Sequence, residues 1–162
     1  MREGDFERLF SDHAAPLFGF LVYRTGDRAL AEDLLADTFE RALTTRARLD
    51  RRRGTEKAWL YTIALNLLRD HARRAAVEER ALERIGADPG TDDRSLEAVE
   101  ARDEAMKLMG ALEPEEREAV ALRYGAELTV PEIARVLDVP LTTAESRLYR
   151  ALRRMRQHGD AT

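Results

Sequence analysis

Residues 129–156 restrict the fold more tightly than any other stretch. Thr129-Val130-Pro131-Glu132 reads as a capping box with proline in the first turn of a helix. Ile133, Val136 and Leu137 give that helix an apolar face, and Ala134 is small enough to let a second helix approach closely. Asp138-Val139-Pro140-Leu141 supplies a turn. Thr142-Thr143-Ala144-Glu145 reads as a second capping box, opening a helix over 143–157 with Leu148, Leu152 and Met155 on its inner stripe. Two helices, a tight turn and a cationic second helix make a helix-turn-helix, whose second helix suits the major groove of duplex DNA.

The outer face of that second helix carries groups of the right chemistry. Thr143, Ser146, Arg147, Tyr149 and Arg150 sit toward its N-terminal half, within reach of base edges or phosphates. Arg153, Arg154 and Arg156 lie further on and suit phosphates. The simpler alternative is an amphipathic helix with a solvated basic face. The preceding helix, the turn and both boxes weigh against it. For Glu145 a capping role is expected over cytosine recognition.

Upstream, apolar residues recur at spacings of three and four. Phe6, Leu9, Phe10, His13, Leu17, Phe20 and Leu21 predict a helix over 5–24, stopped at Gly26. Asp27 is placed to cap a second helix over about 28–45, with Leu30, Leu34, Leu35, Phe39 and Leu43 inward. Residues 46–56 are arginine-rich and aperiodic and read as a basic loop. A third helix, 57–75, is expected to place Trp59, Leu60, Ile63, Ala64, Leu67 and Leu68 inward. Three helices with short connections bury one modest core. Residues 76–104 hold four basic and ten acidic side chains, with Gly86-Ala87-Asp88-Pro89-Gly90 among them. Apart from an extension of the third helix over Val77–Ile85, they read as a flexible acidic linker. Beyond it, helices are expected at 97–111, 114–123, 130–137 and 143–157, with Gly125 capping the second. The expected fold is all-α: two small helical domains, 1–75 and 101–162, joined by a linker over 76–100.

Composition closes off other classes. Among 162 residues there is no cysteine, so disulfides and thiolate chemistry are absent. The three histidines, His13, His71 and His158, lack metal-ligand spacing. No phosphate-binding glycine motif or nucleophile elbow is present, so neither an enzyme nor a cofactor is expected. No apolar run suits a membrane span or secretory leader, which implies a cytoplasmic protein without membrane insertion. The net charge of −4 argues against a chain that coats nucleic acid unaided.

The two halves together resemble a known family. Ala29 to Ala42 (ALAEDLLADTFERA) resembles the core-binding helix of extracytoplasmic-function (ECF) sigma factors of bacterial RNA polymerase. Ala58 to Arg74 (AWLYTIALNLLRDHARR) resembles the promoter-reading helix that follows it in that family. Leu112 to Arg156 is similar to the family's C-terminal domain. The resemblance implies that the first domain binds core polymerase and opens the minus-ten element, while the second reads the minus-thirty-five element as duplex. By matching positions, Asp33, Asp37, Thr38 and Phe39 fall in the polymerase-binding motif, with Phe39 also serving the core. Arg51, Arg52, Lys57, Tyr61, Asn66, Arg69 and Arg73 fall in the minus-ten region. There, cations track a melted strand and amide and aromatic groups shape a pocket for a flipped base. Thr143, Ser146, Arg147, Tyr149, Arg150 and Arg153 fall on the minus-thirty-five reader. The resemblance also implies an anti-sigma factor as partner. Two departures stand out: Glu145 replaces the cation common before the Ser-Arg pair, and Asp37 replaces the common Gln or Glu. The alternative is a stand-alone helix-turn-helix regulator, which would bind duplex DNA without polymerase.

Overall fold

The computed structural model describes residues 3–49, 52, 54–83 and 108–160. Arg51, Arg53, most of the expected linker and most of the expected helix at 97–111 lie outside these residues. The chain divides into two compact helical units, Met1–Thr91 and Asp92–Thr162, each described here by itself.

In the first unit, α1 (Glu3–Thr25) packs on α2 (Arg28–Thr45), and α2 packs on α3 (Glu56–Glu83). α1 ends at Gly26, whose φ of 68° and N–H to the Val22 carbonyl (2.8 Å) make a left-handed cap that glycine adopts without strain. Asp27 then caps α2 by accepting the Leu30 N–H at 3.2 Å. A short 3-10 turn, Arg46–Arg48, follows α2. Thr55 caps α3 by accepting the Ala58 N–H at 3.1 Å, a start signal the sequence reading passed over.

The core of this unit is built from Leu9, Leu17, Phe20 and Leu21 of α1, Ala31, Leu34, Thr38, Phe39 and Ala42 of α2, and Leu60, Tyr61, Ala64, Leu65 and Leu68 of α3. The stripe on α3 is rotated from the expected one: Tyr61 and Leu65 are buried, while Trp59, Ile63 and Leu67 are only half-buried. Leu43 is exposed, and Ala42 takes the interior position. Small Ala31 and Ala42 bring the helices close, leaving the bulk to the aromatics. Phe39 meets Phe10 edge-on at 4.9 Å and Phe6 at 6.3 Å, and Phe20 meets Tyr61 at 5.4 Å. Edge contacts of this kind add about 0.5–1.5 kcal/mol each beyond area burial.

In the second unit, α4 (Pro114–Val120) leads into a π-type turn, Ala121–Gly125. The Ala126 N–H reaches the Ala121 carbonyl at 3.0 Å, five residues back. Gly125 is therefore part of that turn rather than the cap expected for it, and the left-handed residue is Glu127, at φ 58°. α5 (Val130–Leu137) has the capping box expected for it: Glu132 N–H to Thr129 Oγ1 at 3.3 Å, Thr129 N–H to Glu132 Oε1 at 3.0 Å. It ends on Asp138 in the left-handed region (φ 55°), with Val139 N–H bonded to the Ala134 carbonyl and Asp138 N–H to that of Arg135.

The second expected capping box is not formed. α6 spans Leu141–Asp160, and the Pro140 carbonyl accepts the N–H groups of Thr143 and Ala144. Thr142 thus lies inside the helix. Its inner stripe is Ala144, Leu148 and Ala151, with Met155 half-buried and Leu152 exposed. The two alanines let α6 seat closely against α4 and α5.

Candidate nucleic-acid interface

The first unit presents two neighbouring polar features. On α2, Asp33 and Asp37 are exposed and one turn apart, on the side away from the core. Thr38 and Phe39, expected beside them in the same motif, are interior. Thr38 is fully buried and donates its hydroxyl to the Leu34 carbonyl at 2.6 Å. They shape the helix without facing solvent.

On α3, Asn66, Arg69 and Arg73 line one open groove of about 720 Å³ with Asp70 and Ala72. Spacings of three and four along the helix put these polar groups on one face. Arg73 is paired with Asp70, and Arg74 Nε reaches the Asp70 carbonyl at 3.4 Å. Arg41 of α2 completes the groove, although it lies within the Ala29–Ala42 stretch that resembles the core-binding helix. Its spacing from Asn66 along the chain hid it, because only the packing of α2 on α3 brings them together.

Three further minus-ten candidates do not join this groove. Tyr61 is fully buried against Phe20, so it is a core residue and not a surface contact; burying its ring satisfies the α1–α3 seam. Lys57 is half-buried near His13, and Arg52 is exposed in the loop. Arg51 lies outside the described residues.

The second unit presents the outer face of α6. Glu145, Ser146, Tyr149 and Arg150 line an open groove of about 510 Å³. Tyr149 is 68% exposed, and Arg150 Nε donates to the Ser146 carbonyl at 3.3 Å. With the capping box absent, Glu145 stands in this groove. Arg153 is exposed and Thr143 half-exposed.

Arg147 and Arg154 point elsewhere. The Arg147 side chain is only 18% exposed and its Nε lies 4.0 Å from Glu115 Oε2. Arg154 lies 3.8 Å from Glu113 and 3.3 Å from Glu116. Seven residues apart, the two arginines share the face of α6 that meets the acidic start of α4. Among the described residues no group of His, Asp and Glu is placed to hold a metal ion, and no helix is long and apolar enough to cross a membrane.

Comparison with known proteins matches both halves of the chain. The Sigma-70 region 2 family matches residues 9–77, and Sigma-70, region 4 matches residues 102–155. The RNA polymerase sigma factor CarQ of Myxococcus xanthus is 33% identical, over 94% of this chain and 87% of its own. The ECF RNA polymerase sigma factor BldN of Streptomyces coelicolor is 32% identical over 91% of this chain, which spans only 58% of its length. The fold matches that of the sigma factor RpoE, solved with the anti-sigma factor NepR from Bartonella quintana. The TM-score is 0.74 at 23% identity, covering 94% of this chain and 95% of that one. An N-terminal region 2 and a C-terminal region 4, matched in order along one helical chain, make it a member of the ECF sigma factor family of RNA polymerase.

Proposed function

We propose that this chain binds core RNA polymerase and directs it to promoters. Sigma factors are non-catalytic DNA-recognition subunits, so the mechanism is binding, with no bond made or broken by this chain. The observation that carries the reading is the pairing of two surfaces on one chain: an arginine and amide groove on α3, and an exposed reading face on α6.

The proposed parts follow the two regions. Residues 1–75 form the polymerase and minus-ten domain, residues 76–100 the connection, and residues 101–162 the minus-thirty-five domain. Asp33 and Asp37 contact polymerase, while Thr38 and Phe39 hold α2 in shape for them. Asn66, Arg69 and Arg73 engage the melted strand, with Arg51, Arg52 and Lys57 supplying charge from the loop and the start of α3. Ser146, Tyr149 and Arg150 read duplex DNA, and Arg153 and Thr143 flank them on phosphates. Arg147, held against Glu115, fastens α6 to α4 behind that face. An anti-sigma factor that covers these surfaces, as the family resemblance implies, completes the reading, with the protein acting in the cytoplasm.

Tethering both surfaces to one polymerase raises the effective concentration of each at the other's element. The overall charge of −4 disfavours DNA binding by the free chain. The test is run-off transcription with bacterial core polymerase on fragments of its own genome. Transcripts from discrete start sites only when the protein is added bear out the reading. Absence of transcripts together with tight, salt-resistant binding of duplex by the free chain overturns it in favour of a stand-alone regulator.

A further inference from the structure

We infer that Arg41 of α2 is a strand-phosphate contact of the minus-ten groove and not part of the polymerase seat; this rests on the proposed function of that groove. Three observations carry it. First, Arg41 lines the same groove as Asn66, Arg69 and Arg73, although it comes from a different helix. The lining holds three arginines and one aspartate, and that aspartate, Asp70, is already paired with Arg73. The groove therefore carries positive charge contributed from both of its walls. A polyanion running along it meets a cation on each side.

Second, the turn that presents Arg41 is fixed. The hydroxyls of Thr44 and Thr45 both donate to the Arg41 carbonyl, at 3.0 and 2.7 Å. Two donors on one carbonyl pin the backbone where α2 gives way to the loop. The exposed side chain thus projects from a rigid base, and little backbone order remains to be lost on binding.

Third, Arg41 continues the exposed row of Asp33 and Asp37 at a spacing of four. At 1.5 Å per residue it lies about 6 Å along the axis from Asp37. The sign of the row reverses there. Acids that suit a basic polymerase surface give way to a cation that suits phosphate. α2 then serves both ligands, with the boundary between them falling between Asp37 and Arg41.

The test uses holoenzyme assembled from core polymerase and the full chain. Two affinities are measured: that of the chain for core, and that of the holoenzyme for a labelled single-stranded DNA of randomised sequence, with core alone as background. Arg41→Ala is expected to keep core affinity within about twofold and to lower strand affinity by about 10- to 100-fold at low salt, the size of one charge-assisted contact. The slope of log affinity against log salt is expected to fall by about 0.7, as for one single-strand phosphate. Arg41→Lys is expected to restore most of the loss, since phosphate accepts a point charge. Arg8→Ala, which removes an exposed cation paired with Asp5 on α1, controls for charge in general and is expected to leave both affinities unchanged. Loss of core affinity in Arg41→Ala overturns the inference, and so does unchanged strand affinity. If Arg69→Ala lowers strand affinity while Arg41→Ala does not, the groove reading stands and only Arg41 is misassigned. If neither variant changes it, the groove reading itself fails.

Discussion

The carboxylate of Glu116 joins two helices at once: one oxygen accepts the Glu113 N–H at the start of α4 (3.3 Å), and the other lies 3.3 Å from Arg154 Nε on α6. Its side chain is only 5% exposed. Substituting Glu116→Ala removes a helix cap and leaves Arg154 with its longer pair to Glu113 at 3.8 Å. The expected cost is about 1–3 kcal/mol to the second unit. A double-mutant cycle with Arg154→Ala, followed by hydrogen exchange over α4 and α6, separates the cap from the ion pair.

The arginines of α6 are expected to divide into two classes. Arg150→Ala should weaken minus-thirty-five binding by about 1–3 kcal/mol with folding unchanged. Arg154→Ala should instead loosen the α4–α6 seam. Holoenzyme binding to promoter duplex, measured beside thermal unfolding, checks this; equal loss of stability in both variants would contradict the division.

Tyr61 tests the correction made to the minus-ten surface. Tyr61→Ala is expected to cost about 3–5 kcal/mol by opening a cavity against Phe20. Tyr61→Phe keeps the ring and is expected to cost less than about 1.5 kcal/mol. The chain has a single tryptophan, Trp59, in the same helix, so denaturant unfolding followed by its fluorescence reports on this unit.

His13 makes the stability of the first unit pH-dependent. Burial lowers its pKa below the ordinary 6.5, with Lys57 lowering it further and Asp12 and Glu56 opposing. Below about pH 6.5 the unfolded chain takes up a proton that the folded chain resists, so stability is full above that pH and declines as pH falls toward the lowered value. His13→Gln is expected to flatten this decline in Trp59-detected unfolding.

Asp138 holds the turn between α5 and α6 at a positive φ that aspartate tolerates and β-branched residues resist. Asp138→Val is expected to destabilise the second unit by about 1–2 kcal/mol, read as faster hydrogen exchange across α5 and the start of α6.

Much of this molecule was legible in its residues. The periodicity of Leu9, Leu17 and Leu21 located α1, Gly26 and Asp27 marked the break to α2, and Thr129 with Glu132 marked the start of α5. These signals are local, so one chain segment contains them. The π-type turn at Ala121–Gly125 was not legible, because a shift from four-residue to five-residue bonding changes no residue type. The box at Thr142 was misread because Pro140 already supplies the carbonyl that starts α6. The family resemblance puts Tyr61 in the minus-ten region by position alone, and only its packing against Phe20 shows that the ring is interior. Arg41 with Asn66, and Arg147 with Glu115, are distant along the chain and become neighbours only through helix packing.

The arrangement of α6 also bears on how such a protein changes over time. Ser146, Tyr149 and Arg150 face outward, while Ala144, Arg147, Ala151 and Arg154 fasten the helix to its support. Replacing an outward residue costs the fold little, as surface changes away from caps and networks generally do. Under the proposed function, the outward face is therefore free to drift to a new promoter while the fastening face stays under constraint. Duplicated copies of such a chain within one genome have room to diverge in target without first having to be rebuilt.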